Sequence, residues 1–151
     1  IDTLLAQYNF CIDLNEGMVK KSENVRLTLN QKARELDKQK QDFQTKYQNN
    51  AYLSPERAQQ EYNRIAKLEQ DLQTLSNKLQ SELMSENEKN SLQLRDSINA
   101  FLKEYNKTKG YSMIISNTGF DNLLYADSIY NITKEIVEGL NARYSSPAAK
   151  K

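Results

Sequence analysis

The 151-residue sequence has no histidine and no tryptophan, one cysteine, two prolines and four glycines. Without histidine there is no imidazole base, no Ser-His-Asp triad and no histidine-ligated metal. The single thiol, Cys11, excludes an intrachain disulfide, a zinc knuckle and an iron–sulfur site. No apolar run approaches the ~18 residues of a transmembrane helix. An excess of one charge sign is missing too. Twenty-one basic against 20 acidic residues leave +1, which gives no general push towards nucleic acid or membrane. EF-hand, P-loop and dinucleotide patterns are absent, and no cofactor is expected. Hydrophobic residues are scarce at 38%, against the roughly 45–50% of globular domains. The chain begins at Ile1 rather than Met, so a segment removed upstream, by signal processing or by design, is expected.

What is present is a polar, helix-forming chain with very little punctuation. Sixteen Asn and twelve Gln add to the charged residues, a mixture that favours long exposed helices over a wide core. From Leu14 to about Asn50 there is one Gly, Gly17, and no Pro. QNNAYLSPE (Gln48 to Glu56) is the clearest turn: Ser54 reads as N-cap, Pro55 as first helical residue and Glu56 as first-turn carboxylate. From Pro55 to about Thr108 there is again no breaker, until Gly110 follows Lys107 and Lys109.

Each arm carries a narrow apolar stripe, the mark of a coiled-coil seam. Val25, Leu29, Leu36 and Phe43 form the first; Ile65, Leu68, Leu72, Leu75 and Leu79 form the second. Folding back near residues 51–54 sets Leu36 against Leu68, Leu29 against Leu75 and Val25 against Leu79. Tyr62 and Tyr105 fall on the seams and are expected in the core. The second stripe is interrupted at SENEKNS (Ser85 to Ser91), where Asn87 and Asn90 replace apolar residues opposite a stretch holding Gly17. Two readings stay open there: a solvated stutter, or a place where the arms hinge or line a cavity.

After Gly110 the pattern changes. Tyr111 to Ser116 and Leu123 to Ala126 read as short strands around the NTGFDN turn, and Ile132, Ile136, Val137 and Leu140 have helical spacing behind an Asn131 N-cap. The expected fold is mainly α, a long antiparallel helical hairpin on a small β-rich body. Residues 1–13 and 109–144 form that small α+β body, 14–108 the hairpin with its tip near 48–55, and 145–151 a flexible tail. About 40 residues of body are too few to stand alone, so self-association is expected. Tyr111, Met113, Ile115, Leu123, Tyr125, Ile132, Ile136 and Leu140 are the candidates for its subunit interface or core.

Little looks catalytic, and no enzyme is expected. Asp37 with Asp42, and Glu86 with Glu88, read as solvated helix charges, and Cys11 between Phe10 and Ile12 as a packed thiol. Between Lys32 and Lys67 eight basic residues meet five acidic ones. Either this is ordinary helix solubility, or Lys38, Lys40, Lys46, Tyr47 and Tyr52 make a basic, tyrosine-bearing tip that meets an acidic client or anionic lipid.

The order of elements, with LLYAD (Leu123 to Asp127) and NITKEIVEGLN (Asn131 to Asn141), resembles the C-terminal body of the Skp/OmpH family of periplasmic chaperones, in its Bacteroidetes-type branch. IDTLLAQY (Ile1 to Tyr8) is similar to the segment after that family's first strand, which is then expected upstream of Ile1. The resemblance implies a homotrimer gathered by a β-rich trimerisation body, with three hairpin tentacles around a cavity for unfolded outer-membrane proteins. It implies holding without ATP, in the periplasm, with any signal peptide already removed; the near-zero net charge leaves no nucleic-acid partner expected. Some members are strongly basic; this chain is nearly neutral. A coiled-coil structural or tethering module, like the prefoldin hairpins, is the alternative.

Overall fold

Breaker-poor stretches this long have one regular option, and the chain takes it. The computed structural model describes residues 2–117 and 123–144. Helix α1 spans Asp2–Gln7, α2 Asn9–Gln48, α3 Pro55–Lys109 and α4 Thr133–Arg143, with a 3-10 turn at Ser128–Tyr130. Gly17 lies inside α2 with open space around it, so it costs helix propensity without breaking the helix.

The helix ends follow local chemistry. Asn50 adopts a positive φ of 51°. The Ala51 N–H then donates back to the Lys46 carbonyl at 2.9 Å, closing α2 with a left-handed cap. Ser54 Oγ accepts the Arg57 N–H at 3.3 Å to open α3. At the far end Gly110, with φ 68°, sends its N–H to the Asn106 carbonyl at 2.9 Å. At α4 the expected cap is displaced by one residue. Ile132 occupies the N-cap without a side-chain bond, while Asn131 Oδ1 accepts the Thr133 N–H at 3.0 Å.

The expected β-rich body is corrected by the fold: no strand forms among the described residues. Residues 111–117 and 123–127 run as unpaired segments. A strand needs a ladder partner for its backbone groups, and no partner strand lies beside either segment among the described residues. Asn106 pins the first one instead. Its Nδ2 donates to the Tyr111 carbonyl at 2.9 Å, and its Oδ1 accepts the Tyr111 N–H at 2.7 Å. Most of the NTGFDN turn and the tail 145–151 lie outside the described residues.

The chain divides into a terminal unit, Ile1–Met18 with Asn87–Lys151, and a hairpin unit, Val19–Glu86. In the terminal unit Leu4, Tyr8, Cys11, Ile98, Ile136, Val137 and Leu140 form one buried cluster, edged by Phe10, Leu94, Phe101 and Leu102. Helix α1 packs on α4, and Asn141 of α4 bridges the α1–α2 break. Its Oδ1 accepts the Asn9 N–H at 2.8 Å and its Nδ2 donates to the Gln7 carbonyl at 2.9 Å. Gly139 lets α4 approach α3, because a Cβ there would fall on the Phe101 ring.

Candidate functional site

In the terminal unit, an apolar groove of about 790 Å³ opens between the end segments and the helices. Leu4, Leu94, Ile98, Leu102 and Ile136 line it from the helices, and Ile115, Leu123 and Ile132 from the segments between α3 and α4. Next to it the chain leaves large apolar side chains in water. Met113 is 77% exposed and Leu124 93%, and Tyr111, Ile115, Tyr125, Ile129 and Tyr130 are exposed as well. So many on two adjoining segments exceed the scattered single hydrophobes of ordinary surfaces.

The body residues expected from sequence therefore divide. Ile136 and Leu140 are buried, Ile132 packs against their cluster, and Leu123 is half-buried in the groove wall. Tyr111, Met113, Ile115 and Tyr125 stand on the surface. Leu124, Ile129 and Tyr130 were not among the candidates. Their signal was density, three more large apolar residues between Leu123 and Ile132, of which only Ile129 continues the helical spacing of Ile132 and Ile136.

Hydrogen bonds stiffen this unit. Tyr8 Oη and Ser97 Oγ are 2.8 Å apart, and Tyr144 donates to Asp13 Oδ2 at 2.9 Å. Tyr105 donates to Glu135 Oε2 at 2.6 Å, and Lys109 pairs with the same carboxylate at 2.9 Å. Burial first, and then Glu135 as acceptor, pushes the Tyr105 phenol up to about 12. Burial and Asp13 do the same for Tyr144, also to about 12. The Glu135 carboxyl is lowered by the Tyr105 hydrogen bond and then by Lys109. Burial raises the Cys11 thiol, which keeps it a protonated, packed side chain.

In the hairpin unit the seam is narrow. Leu36 and Ile65 are buried; Val25, Leu29, Phe43, Leu68, Leu72, Leu75 and Leu79 are half-buried. Leu36, Leu68, Leu72 and Leu75 share one shallow depression of about 160 Å³, so the structure brings Leu36 and Leu68 together. Lys21–Glu86 at 2.6 Å and Lys40–Glu69 at 2.7 Å tie the antiparallel arms. Near the turn Phe43 is a hub for Tyr47, Tyr52 and Tyr62, with ring centroids 5.9, 5.6 and 6.2 Å away. Tyr62, expected in the core, is more than half exposed, because a two-helix seam has no third wall to cover it.

The tip lysines are placed on exposed or half-exposed helix surface. Lys40 is held by Glu69, and Lys46 is close enough to Glu61 to help lower that carboxyl behind the leading Arg64 hydrogen bond. Lys38 is exposed. Tyr47 is exposed, while Tyr52 is half-buried on Phe43. Leu53, which no pattern marked, is 91% exposed. Among the described residues no three of His, Cys, Asp and Glu converge to hold a metal, and no helix is long and apolar enough to cross a membrane.

Paired arms with a thin seam in one unit, and an apolar groove beside unpaired segments in the other, define a helical-hairpin protein. The chain belongs to the OmpH-like family, described as outer membrane protein (OmpH-like), whose pattern it matches over residues 1–140. The proteins of that family are periplasmic chaperones of outer-membrane proteins, not enzymes. A search of individually curated proteins found no match.

Proposed function

We propose that this chain is an ATP-independent periplasmic holdase, acting as a homotrimer whose hairpins enclose a cavity for unfolded outer-membrane proteins. The observation that carries this reading is the family match over residues 1–140. The exposed apolar segments around Met113, Ile115, Leu124 and Tyr125 support self-association, since burying such area drives subunits together. A holdase needs many weak contacts over a large, adaptable surface rather than one pocket, and half-buried seams on polar helices suit that need. In this reading Lys38, Lys40 and Lys46 have a secondary, salt-sensitive part in attracting acidic clients or anionic lipid.

The test is light scattering of a urea-diluted β-barrel protein with and without stoichiometric chain, alongside sedimentation for mass. Suppressed aggregation without nucleotide, by a species of three chains, is the expected result. Unchanged scattering with a verified trimer would leave a coiled-coil structural or tethering module.

A further inference from the structure

The α2–α3 turn is a firm mount for one leucine that the free protein does not bury. On one side of Leu53, Asn50 takes its positive φ and the Ala51 N–H closes α2. On the other, Ser54 caps α3 and Ala58 is buried. Tyr52, next in sequence, leans on Phe43 at 5.6 Å. With the backbone held at both ends, the Leu53 side chain is nonetheless 91% exposed. Tyr47, stacked on the same Phe43, is exposed too. An ordered turn gains nothing for its own folding from an aliphatic side chain left in water.

The charges around the turn indicate the chemistry of its partner. Between residues 42 and 61 there are Asp42, Glu56 and Glu61 against Lys46 and Arg57, so the turn itself has no cationic excess. The nearest further cations are engaged: Arg64 with Glu61 and Gln39, each at 2.7 Å, and Lys40 with Glu69. The turn itself therefore gives a polyanionic surface little complement beyond the weak, salt-sensitive attraction of Lys38 and Lys46, whereas an uncharged apolar segment meets a ready aliphatic knob.

We propose that Leu53, backed by the Phe43–Tyr52 contact and accompanied by Tyr47, is an apolar contact point for extended, uncharged stretches of an unfolded outer-membrane protein. This rests on the holdase reading above. Strands destined for a membrane barrel present an apolar side chain at every second residue, so a single knob finds a partner in almost any register. One leucine per hairpin makes a weak contact, and several hairpins add by effective concentration, which allows release without an energy source.

A photo-crosslinking residue, benzoylphenylalanine, replaces Leu53 in one copy of the chain and Gln80, exposed on the α3 arm, in another. Each is mixed with a urea-diluted β-barrel protein. Crosslinking at position 53 is expected to exceed that at position 80 and to be unchanged by salt, because an apolar contact is not screened. Leu53→Asp should speed client release by about three- to tenfold, the scale of one partly buried leucine, with helix content unchanged. If the parent chain suppresses aggregation while position 53 crosslinks no better than position 80, the turn has no such role and the holdase reading stands. A yield at 53 that falls with salt would overturn the apolar contact in favour of a charged one. No suppression by the parent trimer would defeat both readings at once.

Discussion

The terminal unit and the hairpin unit share the same two long helices, yet they are held together by different means. In the terminal unit six residues from four helices, with Tyr8 at the α1–α2 break, close into one buried cluster. In the hairpin unit the buried apolar residues among those described are Leu36, Ala58 and Ile65. Two helices meeting along a line bury a stripe and leave both flanks in water, whereas α1 and α4 add the walls that enclose a core. The hairpin unit relies on its seam and on exposed ion pairs such as Lys40–Glu69, a type of contact worth about 0–1 kcal/mol. The difference separates a unit enclosed by four helices from one held along a single seam.

The largest expected effect falls on the terminal unit. Leu140, at 1% exposure, lies in the cluster. Leu140→Ala should cost about 2–5 kcal/mol, read in urea unfolding, and hydrogen exchange should accelerate through α1 and α4 while Val19–Glu86 is unchanged. Equal acceleration in both units would break the comparison. Gly139→Ala comes next. Its methyl would fall on the Phe101 ring, an overpacking expected to cost about 1–3 kcal/mol. Adding Phe101→Leu should recover part of that loss, a coupling that a double-mutant cycle measures.

On the arm, Leu36→Ala is expected to cost on the order of 2 kcal/mol, at the low end for a buried leucine because the facing arm can settle into the space. The loss should register as faster exchange within Val19–Glu86, with the terminal unit still folded. Leu72→Ala, at a half-buried position, should have a smaller effect of the same kind.

The smallest effect is a titration. Tyr105 and Tyr144 have phenols raised to about 12 in the folded chain, above the ordinary value near 10. A folded pKa above the unfolded one means that the stabilisation is fully present below about pH 10 and is lost as the pH rises through about 12. Tyrosinate absorbance should show these two groups ionising late. Tyr144→Phe should remove one late step and reduce the alkaline sensitivity of the terminal unit.

Much of the helical layout is legible from local rules. Pro55 behind Ser54, Gly110 behind two lysines and the absence of breakers between them place the bounds of α3 to within a residue or two. The apolar spacing also locates the positions that are the less exposed ones along each arm. The candidate site is legible only in part. Ile136 and Leu140 are recognisable by helical spacing, but Ile129 shares that spacing and is exposed because it precedes α4, and the exposed Leu124 and Tyr130 carry no period that separates surface from core. Leu53 sits in a turn where residue type says nothing about exposure.

By itself the sequence determined where helices run, because propensity, caps and breakers act within a few residues along the chain. The fate of Tyr111 to Ser116 and Leu123 to Ala126 was decided elsewhere. Their β-type composition states a preference, and pairing depends on a neighbour that local sequence does not specify. The terminal core is likewise a tertiary product. Leu4, Tyr8, Ile98 and Leu140 are far apart in sequence and become neighbours only when α1 and α4 fold against α3. Gly139 acquires its purpose in the same way, from a phenyl ring 38 positions earlier that packs where its side chain would be. Helix formation is local, whereas enclosure takes several elements at once, and that is why the arms are readable from sequence while the core is readable only at residues such as Ile136 and Leu140.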